Sequence, residues 1–154
     1  MNKKNILILF IFVLAANLKA QISNDFAKEV TAVLDAKTSS IVGKEIEKQA
    51  SATIYDTKLK ISGFDLTYAE TIFGDDLSGI YIGTSSDSVI DAISQQLKNI
   101  PYQILDSKQT PEIISKSIFD SDILRKIIIK DKKTQEKVMT ITRFKDYILM
   151  EVFV

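Results

Sequence analysis

Short turns dictate how this chain pairs with itself. Six β-rich segments run TIYDTKLKI, LTYAETIF and SGIYIG between Thr53 and Gly83, then RKIIIK, KVMTITRF and YILMEVFV between Arg125 and Val154. Within each group only a few turn residues separate neighbours: Ser62-Gly63, Gly74-Asp75-Asp76, Asp131 to Gln135, and Lys145-Asp146. Parallel strands need a crossover of a dozen or more residues, whereas antiparallel neighbours close through a tight hairpin. Each group is therefore predicted to be an antiparallel meander, with Asp and Gly supplying the turn chemistry.

The segments ahead of each meander carry a helical period. Phe26, Val30, Val33 and Leu34 fall on one face behind the potential caps Ser23, Asn24 and Asp25, and Ile41, Val42, Ile46 and Ala50 make a second, shorter stripe. In the second half TSSDSVIDAISQQLKNIP places Val89, Ile90, Ile93, Leu97 and Ile100 on one face, with Asp87 and Asp91 near the positive end and Pro101 as the stop. Thr110-Pro111-Glu112 opens a short predicted helix, PEIISKSIF. The fold class that follows is α+β: an antiparallel sheet with helices packed on one face, in which Ile90, Ile93 and Leu97 are buried.

Each half then reads helix, helix, strand, strand, strand, and TIFGDDLSGIYI from Thr71 aligns with TRFKDYILMEVF from Thr142 on the skeleton T-x-F-x-D-x-[LI]. Two tandem units, 21–83 and 84–154, and one undivided α+β domain over 21–154 are both compatible with this echo.

With that element order, and with IGTSSDSVIDAI placing Gly83, Thr84 and Ser85 in a turn ahead of a helix that carries Val89, the chain resembles the β-lactamase-inhibitor-protein-like fold. That group also includes small outer-membrane-assembly lipoproteins. The resemblance implies a helix pair followed by an antiparallel meander and a protein partner. The chain has none of the cysteines that the inhibitors use for disulfides or the lipoproteins for a lipid anchor.

At the N-terminus Lys3 and Lys4 precede eleven apolar residues, Ile6 to Ala16, and Asn17-Leu18-Lys19-Ala20 follow. Crossing a bilayer takes about 20 apolar residues, whereas a signal peptide needs only about 7–15. The run is read as a signal peptide, residues 1–20, cut after Ala20 or after Ala16, which implies a secreted or periplasmic protein and leaves no membrane span. Its Lys, Ile and Asn richness is like that of bacterial envelope proteins. Without cysteine, the remaining chain folds on its core alone. After Ala20 there are seventeen basic against twenty acidic groups, a balance without an electrostatic footprint for nucleic acid or anionic lipid.

The chemistry is narrow. Histidine, cysteine and tryptophan are absent, which removes imidazole acid–base work, thiol nucleophiles, Ser-His-Asp triads and ordinary zinc sites. No serine has lysine three residues on, and the five glycines form no phosphate loop. Asp75-Asp76 and Asp120-x-Asp122 are the carboxylate clusters, read first as turns or caps and second as calcium ligands or an acid–base pair. No catalytic, cofactor or metal residue is assigned.

Binding groups remain. In the last segment Ile148, Met150, Val152 and Val154 share one face and Tyr147, Leu149, Glu151 and Phe153 the other, because strand side chains alternate. With the aliphatic set under the helices, Tyr147, Glu151 and Phe153 line an open sheet face. Tyr68, Glu70 and Ile72 of the first meander are further candidates whose facing the sequence leaves open. The expectation is a non-enzymatic module that docks a protein through this face, its binding residues Tyr68, Tyr147, Glu151 and Phe153. A carrier or sensor of a small apolar ligand held between helices and sheet is the alternative.

Overall fold

The computed structural model describes residues 22–114 and 122–153. The expected signal peptide lies outside them, as does Asp120. The elements are α1 (Phe26–Leu34), α2 (Thr38–Ile41), β1 (Val42–Lys48), β2 (Ala52–Thr57), β3 (Phe64–Thr71), β4 (Gly74–Tyr81), α3 (Asp87–Leu97), β5 (Gln103–Asp106), a single 3-10 turn (Pro111–Ile113), β6 (Arg125–Lys130), β7 (Lys137–Arg143) and β8 (Ile148–Val152). The strands form one sheet in the order β1-β2-β3-β4-β8-β7-β6-β5, and every pairing is antiparallel. Two four-stranded meanders thus meet where β4 pairs with β8, Leu77 opposite Val152 and Ile80 opposite Leu149.

The architecture is the expected α+β sheet with helices on one face. Phe26, Val30 and Val33 of α1 and Ile90, Ile93 and Leu97 of α3 are at most 1% exposed. They pack on Phe64, Leu66, Tyr68, Leu77, Tyr81, Ile127, Ile129, Met139, Ile141, Ile148, Met150 and Val152 from the sheet. At about 1.5–3 kcal/mol for each fully buried large apolar side chain, this layer is the main source of stability in a chain without disulfides. The Ser86 hydroxyl accepts the Val89 amide at 3.3 Å and caps α3, and Ser85 Oγ donates to the Phe144 carbonyl at 2.8 Å, tying the helix entrance to the β7–β8 turn.

Four expectations are corrected. The stripe at Ile41, Val42, Ile46 and Ala50 is not a helix: helical geometry ends at Ile41, and Val42–Lys48 becomes edge strand β1. Its pairing with β2 shifts register twice, and such bulges blunt an exposed edge. Gly43 belongs here because a Cβ on it would sit 2.6 Å from the Asp56 carbonyl oxygen. Second, the segment YQILDSKQ contributes strand β5, so among the described residues each half has four strands rather than three. Third, the hairpin turn is at Ile72-Phe73, not at Gly74-Asp75-Asp76. Thr71 pairs with Gly74, and Gly74 takes the positive φ, 125°, that Ile72 and Phe73 do not adopt. Fourth, where the helix PEIISKSIF was expected, Pro111–Ile113 forms a 3-10 turn and Ile114 is extended at φ −82°, ψ 112°, while residues 115–119 of that segment lie outside the described residues.

The T-x-F-x-D echo lands on the last hairpin of each half, β3–β4 and β7–β8. The registers are not equivalent, because Asp75 lies in strand β4 whereas Asp146 lies in the turn closed by the Phe144 amide and the Tyr147 carbonyl.

Candidate functional site

Strand register fixes which residues occupy the face away from the helices. Paired residues point the same way and neighbours alternate. One row across the sheet is Asp56, Thr67, Ser78, Glu151, Thr140, Ile128 and Leu105, and the next is Asp65, Ile80, Leu149, Thr142 and Lys126. Ile80 is 43% and Tyr147 42% exposed. No described helix covers these rows, since α1 and α3 both bury against the opposite face.

The floor of this face has relief. Thr140 and Thr142 are only 1% and 4% exposed although they point away from the helices. They are short side chains flanked by Leu149 and Glu151 on β8 and by Lys126 and Ile128 on β6. The result is a trough along β7. Thr140 Oγ1 donates to Glu151 Oε2 at 2.9 Å, which fixes the carboxylate at the trough's wall. Phe144 and Tyr147 stack across the hairpin with ring centroids 4.6 Å apart, closing one end.

The sequence-predicted binding residues are not all together. Tyr147 and Glu151 lie on the open face as expected. Phe153 follows the end of β8, 42% exposed, with the Lys137 ammonium 4.1 Å from its ring centroid. It borders a groove of about 340 Å³ shared with Val33, Leu34 and Ala36 of the helix layer, so it marks the sheet's rim rather than its middle. Tyr68 is excluded from this face. It points under the helices, 1% exposed, because Phe64, Leu66 and Tyr68 form the core-facing set of β3. Its hydroxyl donates to Asp75 Oδ2 at 2.6 Å, and burial together with that carboxylate pushes its pKa upward. Glu70 is on the same side and accepts the Tyr55 hydroxyl at 2.9 Å. Ile72 is at the hairpin tip, 72% exposed. Ile80, Thr140 and Lys126 belong to the open face and went unassigned, although the Ile80-Tyr81-Ile82 alternation was available to place the first.

Asp75 and Asp76 are successive strand residues and point to opposite sides of the sheet, so they do not form a carboxylate pair. Among the described residues no group of three or more His, Cys, Asp and Glu side chains is arranged to hold a metal ion.

A second polar cluster lies on the helix side. Arg125 is held by Asp106 through two bonds, Nε to Oδ1 at 2.9 Å and Nη2 to Oδ2 at 2.6 Å, and its Nη1 donates to Asp91 of α3. Ser94 Oγ donates to the same Asp106 carboxylate at 2.7 Å, and Lys108 Nζ pairs with Asp91 at 3.1 Å. Burial alone would raise the Asp106 pKa, but the Arg125 and Ser94 hydrogen bonds outweigh it and hold the carboxyl below its usual value. Asp91 is likewise lowered by Arg125 and Lys108. A groove of about 430 Å³ adjoins these groups. Each acid in the cluster already has a cation, so its chemistry is that of a clamp fastening α3 to β5 and β6.

The layer between helices and sheet, where a carried ligand would need room, is filled by Phe26, Val30, Ile90, Ile93, Leu97, Ile127 and Met150, all 0% exposed. No described helix is long and apolar enough to cross a membrane. No protein-family model, no curated protein and no solved structure matches this chain.

Proposed function

We propose that this chain is a non-enzymatic extracytoplasmic binding module that docks another protein through the uncovered face of its sheet. The observation that carries the reading is the composition of that face. Ile80, Leu149, Tyr147 and Ile128 are exposed or half-buried there beside a fixed carboxylate, Glu151, and no described element lies over them. A mixture of aromatic, aliphatic and hydrogen-bonding groups on one rigid surface is the usual make-up of a recognition patch. The helix pair α1–α2 followed by the β1–β4 meander supports the likeness to the β-lactamase-inhibitor-protein-like group. The charged start, short apolar run and small-residue exit of residues 1–20 support export.

The test is capture from envelope extract by the chain and its open-face variants. Truncating an aromatic anchor commonly costs about 2 kcal/mol or more of binding, roughly thirtyfold in affinity. Tyr147→Ala combined with Leu149→Ala is expected to weaken capture by at least that factor. Undiminished capture by the double variant would overturn the reading.

A further inference from the structure

We propose that the docking partner of the open face is the same face of a second copy of this chain, related by a two-fold axis that runs parallel to the strands between β4 and β8. The inference rests on the docking reading above and adds the identity of the occupant.

The observation is a segregation of charge. On the open face the first meander carries Glu47, Asp56, Asp65 and Asp76, one on each strand from β1 to β4. The second meander carries Lys126 and Lys130 on β6 and Lys137 on β7, opposite Lys130, together with the acid Glu151 of β8, which Thr140 holds. Along the chain the first half is acidic and the second near neutral: residues 22–83 have six basic and ten acidic side chains, residues 84–154 eleven and ten. Lys60 reaches Asp56 at 2.8 Å, in an exposed pair. Among the described residues Lys126, Lys130 and Lys137 form no salt bridge. Strands β4 and β6 are three spacings apart, about 14 Å, so the acids and lysines of one face do not neutralise each other.

A second copy resolves this in one of the two possible orientations. Rotation about an axis along the strands lays β4 over β8, β3 over β7 and β2 over β6. Asp65 and Asp76 then come beside Lys126 and Lys137, and Glu47 beside Lys130, twice over because the interface is isologous, while Asp56 keeps Lys60. Ile80 falls over Leu149 at the centre, with Tyr147 and Ile82 alongside. Rotation about an axis across the strands instead sets acid on acid and lysine on lysine, so charge selects the first arrangement. Eight strands at about 4.8 Å spacing and about five residues of strand length give a planar footprint of roughly 600 Å². Side-chain relief brings this toward the ~800 Å² per partner of a standard interface. The product is two aligned sheets packed face to face, a stable way to bury such surfaces.

The experiment is sedimentation velocity on the chain and on charge-reversed variants, with circular dichroism to establish that each is folded. The wild type is expected to sediment at twice the chain mass and to dissociate at least about tenfold more readily when salt rises from about 0.02 M to about 0.5 M, which shortens the screening length from roughly 20 Å to 4 Å. Lys126→Glu/Lys130→Glu and Asp65→Lys/Asp76→Lys are each expected to be monomeric. Mixed one to one they are expected to form a heterodimer, since the half of the interface that joins the unchanged acids of one variant to the unchanged lysines of the other keeps its wild-type contacts, and positions 65 and 126 are again oppositely charged in the other half. A monomeric wild type, or a dimer that survives both reversals, overturns the second-copy proposal. The docking reading fails separately, when Tyr147→Ala/Leu149→Ala captures from extract as well as the wild type does.

Discussion

Replacing Arg125 with Met is expected to destabilise the fold by about 3–5 kcal/mol, the usual cost of removing one partner from a buried ion pair. The reason is Asp106, whose side chain is 5% exposed and relies on Arg125 for two of its bonds. Without the guanidinium a buried carboxylate keeps only Ser94 and the Lys108 amide. The melting temperature is expected to fall by roughly 10–20 °C for a domain of this size. Arg125→Met combined with Asp106→Leu is expected to recover most of the loss, because replacing both members of a buried pair by apolar groups of similar shape is often neutral. The pH dependence has a definite sign. Asp106 and Asp91 have lowered pKa values in the folded state, so their contribution is complete above the unfolded carboxylate pKa of about 4 and is lost as pH falls through the folded values. Melts of the wild type are expected to drop from about pH 5 downward, and the double variant to show a shallower slope. Equal acid sensitivity in both proteins would mean that the clamp carries no linkage.

Neighbouring residues of β8 are expected to differ sharply because they face opposite ways. Met150 is 0% exposed beneath the helices, and Met150→Ala is expected to cost about 2–5 kcal/mol through lost transfer energy and the cavity left behind. Leu149, half-buried on the open face beside Thr142 and Ile80, is expected to cost less than about 1 kcal/mol when changed to Ala, mainly in strand propensity. Chemical denaturation of the two variants checks this. A Leu149→Ala loss as large as that of Met150→Ala would mean that a second layer covers the face.

How much of this was legible in the sequence depends on how local the deciding interactions are. Helix α3 was readable because Ile90, Ile93 and Leu97 repeat at the helical period, with Asp87 at its positive end and Pro101 as a stop. The RKIIIK segment became β6 with the same bounds, since it alternates between Ile127 and Ile129 inside and Lys126 and Lys130 outside. Strand β1 was misread because Ile41, Val42, Ile46 and Ala50 satisfy helical spacing, and pairing with β2 overrides that spacing. The facing of Tyr68 was present but needed a longer window: Phe64, Leu66 and Tyr68 alternate with Asp65, Thr67 and Ala69, and starting at Leu66 hid the pattern. For the candidate site, the alternation of the last strand placed Tyr147 and Glu151 correctly. The trough at Thr140 and Thr142 was not readable, because it exists only through the register of β7 between β6 and β8. Nor was the gathering of Asp65 and Asp76 on one side of the face and of Lys126 and Lys130 on the other, which needs the strand order.

The absence of cysteine from the sequence allows the role of the open face to be measured directly, with one engineered thiol at a time as the point of attachment to a surface. Ala92→Cys lies on the exposed side of α3, and Ile80→Cys lies at the centre of the open face. Tethered through position 92, the chain is expected to capture its partner, a second copy or another protein. Tethered through position 80, it is expected to capture at least about thirtyfold less, because the anchor occupies the patch where hot-spot side chains cluster. Equal capture from both orientations would contradict the assignment of the uncovered sheet face as the docking surface.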